Sequence, residues 1–281
     1  MADILTTLKN DPYIKDVIKK NNISDEEIND NLNVFEEAYN SLKLCEKCKG
    51  VDKCPQKVKG EIYTVEYNGG PVSVIRYCKQ MKHSKELEDL YSSYLYTDIP
   101  KVLLDVNLDN INPLNDSQGQ LFKVLSDISN KNRDKGLYIC GGFGVGKTYF
   151  VSALANTLVA KGNSVVFVKS NAFATDMYTL LMDNSNSFDR LLNTIKNADY
   201  LIIDDIGTEN VTAFSRDRLL YNILDYRMEN KLCTIFTSNY DFENLETNYN
   251  QLNDANAKRI CERIQSLGEF ILLKGENQRH D

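Results

Sequence analysis

Between Gly141 and Thr148 the chain reads GGFGVGKT, which fits the spacing G-x-x-x-x-G-K-[ST]. The chemistry this pattern serves is the binding of a polyphosphate. Glycines let successive backbone N–H groups turn inward as an anion cradle, and a helix starting directly behind them adds its positive end. Gly141, Gly142, Phe143, Gly144, Val145 and Gly146 make the loop. Lys147 is placed to reach the β- and γ-phosphates and Thr148 to offer its hydroxyl to Mg²⁺, with Tyr149 in the first turn of the helix. Further along, Tyr200-Leu201-Ile202-Ile203 runs into the paired acids Asp204-Asp205. A strand that carries a carboxylate to its C-terminal end beside such a loop can hold the metal, which assigns Asp204 to Mg²⁺. Asp205 is then the base or orienter for an attacking water. The stretch Leu232–Phe236 ends in Thr237-Ser238-Asn239, and an amide at that strand tip suits a residue that positions the water.

A second group with chemistry lies far upstream. Four of the seven cysteines fall between Cys45 and Cys78. In a chain without a basic-then-apolar leader this crowding argues for metal rather than disulfides. The spacing favours a structural zinc site of Cys45, Cys48, Cys54 and Cys78, with His83 as an alternative fourth ligand and thiols used only for packing as the remaining reading. EIYTVEYNGGPVSVIRY alternates apolar residues about Asn68-Gly69-Gly70, a hairpin signal that returns Cys78 to the Cys45-x-x-Cys48 turn. Six lysines and two acids lie between Lys43 and Lys59; they offset thiolates or touch phosphate. Cys140, Cys233 and Cys261 sit in apolar or helical surroundings and read as buried packing residues.

The elements that must position these groups follow from periodicity. Ile4, Leu8, Ile14, Val17, Ile28, Leu32 and Phe35 recur at helical spacing, and Ser24-Asp25-Glu26-Glu27 reads as a capped helix start. Asp98–Asp116, with its prolines and many Asn and Asp residues, reads as a linker. A helix is predicted over Ser117–Lys131, then short buried strands at 137–140, 164–168, 200–204, 232–236 and 269–273, alternating with helices. Continuous apolar strands between helices mean a parallel sheet covered on both sides, an α/β fold. The expected organisation is a helical and zinc-binding domain at 1–97, a linker at 98–120 and a nucleotide-binding domain at 121–281.

Composition sets limits. The net charge is −7, with 42% hydrophobic and 26% charged residues. Any nucleic-acid contact must come from a local patch rather than a basic field. No run approaches the roughly 18 apolar residues of a membrane span, and a cytoplasmic location is expected.

With these residues in place, 121–281 resembles an AAA+ ATPase of the bacterial helicase-loader type, the DnaC/DnaI group. GGFGVGKT is similar to the group's Walker A, LIIDDIGTE to its Walker B, TSN to its sensor 1 strand end, KRICERI to its arginine-finger helix and GENQR to its sensor 2 segment. The resemblance implies ATP as the nucleotide, Asn239 as sensor 1, Arg263 as the arginine finger with Arg259 as a rival, and Arg279 as sensor 2. A cysteine-rich module behind a helical segment is similar to the primosomal DnaI branch. That branch places a histidine between the CxxC pair and the last cysteine. Residues 49–77 hold none, and Cys54 takes its place. Transposition helper ATPases of the IstB kind share the ATPase core, but the cysteine cluster is not expected in them. The implied activity is ATP-dependent loading of the hexameric replicative DNA helicase onto single-stranded DNA in primosome assembly. The helicase would dock through 1–97, and self-association would run through the AAA+ domain. Lys169, Phe173 and Tyr178 are the expected contributors to a single-strand groove.

Overall fold

The computed structural model describes residues 2–252 and 254–278. It divides into two compact units, residues 1–88 and 89–281.

In the first unit, helices α1 (Ala2–Asn10), α2 (Pro12–Asn21), α3 (Asp25–Asp30) and α4 (Leu32–Cys45) precede a hairpin of β1 (Glu61–Tyr67) and β2 (Pro71–Tyr77). The helix starts obey their sequence signals. Asp11 caps α2 ahead of Pro12, and Ser24 and Glu27 close a reciprocal capping box on α3. Leu8, Ile14, Ile28, Phe35, Ala38 and Val65 form the core that joins helices to hairpin. The Tyr13 hydroxyl stitches the two layers by accepting the Val65 N–H at 2.9 Å. The hairpin pairs antiparallel from Glu61–Tyr77 to Tyr67–Pro71, with Gly69 at φ +70° in the Asn-Gly-Gly turn.

The second unit is built on a sheet of β3 (Tyr96–Thr97), β4 (Gly136–Gly141), β5 (Val165–Lys169), β6 (Tyr200–Asp204), β7 (Cys233–Ser238) and β8 (Gly268–Leu273). The strand order is β3-β5-β6-β7-β4-β8 and every pair is parallel. Residues alternate between the two faces. Tyr138, Cys140, Val166, Val168, Leu201, Ile203 and Phe236 share one core with apolar residues of the helices after β5. On the other face, Leu137, Ile139, Val165, Phe167, Ile202 and Ile235 are fully buried. After α5 (Lys79–Ser92), which follows the hairpin, the next helices are α6 (Asp116–Ser129) and, behind the glycine loop, α7 (Lys147–Ala160), which packs against the sheet with α6 beside it.

Two sequence expectations need correction. The division between units falls at Glu88 and Asp89 rather than at 97 and 98. The stretch read as a linker is also part of the second unit. Tyr96 and Thr97 add an edge strand to β5, and Ile99, Leu104, Leu108 and Ile111 are buried. Its many Asn and Asp residues explain the misreading, while Asn156 and Thr157 of α7 hold its backbone in place. Asn156 donates to the Leu103 and Val106 carbonyls (2.8 and 2.6 Å), Tyr94 donates to Asn156 (2.7 Å) and Leu108 N–H donates to Thr157 (3.0 Å). Ahead of β7, a π-helical Ala213–Leu220 leads into α-helical Tyr221–Glu229. In the wide turn the buried Arg216 reaches the Tyr249 carbonyl at 2.7 Å.

Candidate functional site

The sheet order puts the glycine loop, the paired acids and Asn239 at the C-terminal ends of three neighbouring strands. β4 runs into the loop and α7 begins at Lys147, so the helix end and the loop N–H groups form one cradle. Gly144 and Gly146 stand at φ +75° and +99°, where a side chain is strained. A Cβ on Gly144 would also lie 1.8 Å from Asn277 Oδ1. The C-terminal segment thus rests on the loop, with Gln278 N–H donating to the Gly144 carbonyl at 3.1 Å.

Lys147 is buried and converges with Asn239. Its ammonium donates to the Gly141 and Gly142 carbonyls (2.9 and 2.8 Å) and to Asn239 Oδ1 (2.7 Å). Thr148 donates its hydroxyl to the Asp204 carboxylate, with both oxygens at 3.0–3.1 Å. A threonine hydroxyl and a carboxylate side by side are the hard oxygen donors that Mg²⁺ takes, so these residues fit that ion. Asp204 is fully buried. Burial raises its carboxyl to about 6; hydrogen bonds from Thr237 and Thr148 pull the other way, and the Asp205 charge adds to the rise. Asp205 sits at φ +55°, a left-handed conformation uncommon outside glycine.

Two residues that the sequence reading passed over hold this geometry. Thr237 Oγ1 donates to Asp204 Oδ1 at 2.7 Å and accepts the Asp205 N–H at 2.8 Å. Glu209 is buried, accepts the Gly207 N–H at 2.9 Å and receives the Ser170 and Tyr249 hydroxyls, which pins the turn after the acids. The available signals were the hydroxyl two places before Asn239 and the acid five places after Asp204.

Lys147, Thr148, Asp205, Thr208 and Asn239 line one cavity of about 650 Å³. Its apolar side is Pro100, Val102, Leu103, Phe143 and Tyr149, a surface suited to a base plane beside a polyphosphate cradle.

Other expected residues lie elsewhere. Arg263, on the helix Asp254–Leu267, donates to Asp225 Oδ1 and the Tyr221 hydroxyl (both 2.7 Å), and its guanidinium lies 4.3 Å from the Tyr221 ring centre. It is outside the cavity lining, and Arg259 is exposed on the same helix. Arg279 lies outside the described residues. Phe173 belongs to the sheet core and is 1% exposed, which removes it from any single-strand groove. Tyr178 is half exposed, with its ring edge-on to Phe214 at 5.3 Å. Lys169 lines the nucleotide cavity instead.

The zinc site expected from spacing is not assembled. Among the described residues no group of three or more His, Cys, Asp or Glu side chains is placed to hold a metal. Three of the four thiols are engaged separately. Cys45 Sγ accepts from Gln56 Nε2 (3.2 Å), Cys54 Sγ from Gly60 N–H (3.3 Å) and Cys78 Sγ from Met81 N–H (3.4 Å), while Cys48 is exposed. The His83 imidazole lies 4.0 Å from Glu86. Cys140, Cys233 and Cys261 are buried as expected. No helix among the described residues is long and apolar enough to cross a membrane.

A parallel sheet in which the glycine-loop strand β4 lies between β8 and β7, with an acid pair at the end of β6 and a polar tip on β7, defines a P-loop nucleotide-binding protein of the AAA+ type. More closely, the chain belongs to the family of IstB-like ATP binding proteins, whose model matches residues 101–281. It is 29% identical over 286 residues to the replicative helicase loader DnaI of Bacillus subtilis (strain 168), an alignment covering 96% of this chain and 90% of that one. A crystal structure of DnaI superposes with a TM-score of 0.57 at 30% identity, over 68% of this chain and 99% of the other. The crystal structure of the DnaC helicase loader, at 24% identity and TM-score 0.54, covers 62% of this chain and all of its own; it shares the fold.

Proposed function

We propose that this chain is an ATP-dependent loader that delivers the hexameric replicative DNA helicase to single-stranded DNA during replication initiation or restart. The observation that carries this reading is the extent of the likeness to DnaI, which spans both units. The cavity lining supports hydrolysis as part of this reading. Mg²⁺ held by Thr148 and Asp204 would neutralise phosphate charge. Asp205 and Asn239 orient the attacking water, and Lys147 neutralises the β- and γ-phosphates. Arg263 acts on a neighbouring subunit's nucleotide in a self-associated state, and Arg279 acts as sensor 2. The work is cytoplasmic. The zinc reading of Cys45, Cys48, Cys54 and Cys78 rests on their spacing alone. One zinc per chain by elemental analysis, lost in Cys45→Ser, supports it, and a folded zinc-free chain removes it.

A second reading, a transposition helper acting on duplex DNA, is favoured by the name of the matching family alone, whose model spans only 101–281. Co-purification of the full chain with the host's replicative helicase, with and without ATP, separates the two. Capture of the helicase supports the loader. ATP-dependent filaments on duplex DNA without helicase capture support the transposition helper.

A further inference from the structure

Lys147 is committed to the loop carbonyls and Asn239, yet the cavity wall carries a second ammonium that no motif accounts for. Lys169 is the last residue of β5 and pairs in register with Asp204 on β6. It lines the same cavity as Lys147, Thr148, Asp205, Thr208 and Asn239. Its backbone is fixed from two sides, by the β6 ladder and by its N–H donating to Asp98 Oδ2 at 3.0 Å. Asp98 is itself tied to the sheet through its N–H to the Phe167 carbonyl at 2.9 Å. A flexible four-carbon stem therefore swings from a fixed root at the cavity edge. Among the described residues its ammonium makes no ion pair within 4 Å. Its charge is nevertheless felt by both Asp98 and Asp204, whose carboxyls it draws downward against the effect of burial.

Electrostatics asks for such a cation. A magnesium-bound triphosphate is net negative and enters a wall that already holds Asp204 and Asp205. One ammonium at Lys147 does not balance that charge, and uncompensated charge in a partly buried site is costly. A diphosphate ends one phosphate short and asks less of the wall.

We propose that Lys169 is a substrate-contacting residue whose ammonium binds the terminal phosphate of a nucleoside triphosphate, so that the chain tells a triphosphate from a diphosphate within its own subunit. This deepens, and rests on, the reading of the cavity as an ATP site. The experiment measures affinities for ADP and for a non-hydrolysable ATP analogue, both with Mg²⁺, on the full chain and on Lys169→Met and Lys169→Arg. Lys169→Met is expected to bind the analogue about tenfold more weakly, to hold ADP within about twofold of the native chain and to turn over ATP more slowly at saturation. Lys169→Arg is expected to restore most of the triphosphate preference, which a purely structural lysine would not require. Equal weakening toward both nucleotides, or no change toward either, overturns the proposal. A native chain that binds neither nucleotide overturns the ATP-site reading itself.

Discussion

Replacing Thr237 with valine keeps the shape of a buried β7 side chain and deletes one oxygen. That oxygen has two partners. It donates to Asp204 Oδ1 at 2.7 Å and accepts the Asp205 N–H at 2.8 Å. The variant leaves the Asp205 N–H without its acceptor and Asp204 with Thr148 as its remaining hydroxyl donor. A lost hydrogen bond to a charged group and a stranded backbone donor together cost about 3 kcal/mol. For a unit of this size that corresponds to about 6–12 °C in melting temperature. The loss is also directed. Asp205 already sits at φ +55° and is held there partly by this bond, so both acids lose their registration at the cavity. A misplacement on that scale costs about tenfold to a hundredfold in turnover. Scanning calorimetry and steady-state ATP hydrolysis on Thr237→Val and Thr237→Ser provide the readout. The serine, which retains the hydroxyl, is expected to stay close to native in both. A valine variant that melts within about 1 °C of native and hydrolyses ATP normally refutes the bridging role.

Lys147→Ala is expected to abolish nucleotide binding at concentrations that saturate the native chain; normal binding and turnover would remove the loop assignment. Arg263→Ala is expected to spare nucleotide binding and to lower turnover of the assembled state by about a thousandfold. Unchanged turnover with a lowered melting temperature would make Arg263 an internal clip to Asp225 and Tyr221, and a loss in Arg259→Ala instead would move the finger there. Titration of thiols at pH 8 is expected to modify Cys48 first and to leave Cys140, Cys233 and Cys261 protected until the chain is denatured. Burial raises all three of these thiols, Cys233 and Cys261 to about 12, and keeps them from the reactive thiolate form. Rapid reaction of all seven in the native state would contradict the packing described.

What was legible in the sequence is what local physics dictates. The cradle, the acid pair and the capping box at Ser24 are short-range patterns, and each appears where its spacing placed it. The buried strands were readable because both faces of a parallel sheet are covered, which makes them apolar throughout. The strap at 96–111 was not readable, because its Asn and Asp residues look like solvated loop and its backbone groups find their partners only in Asn156 and Thr157, some fifty residues away. Thr237 and Glu209 were missed for a related reason. A lone hydroxyl or acid gains its role only from the strand or helix folded against it. Phe173 failed in the opposite sense, since an aromatic after a strand fits a stacking platform and a core equally well and the core took it.

The strand order explains why so much depends on the tip of β7. β7 lies between the strand that leads into the cradle and the strand that carries the acids. Its last residues therefore face both. Thr237 is bonded to the acid pair, and Asn239, two residues further on, is bonded to Lys147 in the cradle. Lys147 itself is fastened to the loop carbonyls of Gly141 and Gly142. A phosphate that draws the Lys147 ammonium outward must loosen its hold on Asn239, and Asn239 shares its strand end with the residue that positions Asp204 and Asp205. The cradle lysine and the placement of the paired acids are thus joined through about three residues of one strand, without any long-range pathway. The same strand tip continues through Tyr240, whose carbonyl accepts the Tyr138 hydroxyl at 2.7 Å. The cradle strand is therefore tied to the β7 tip by a direct side-chain bond as well as by its backbone ladder.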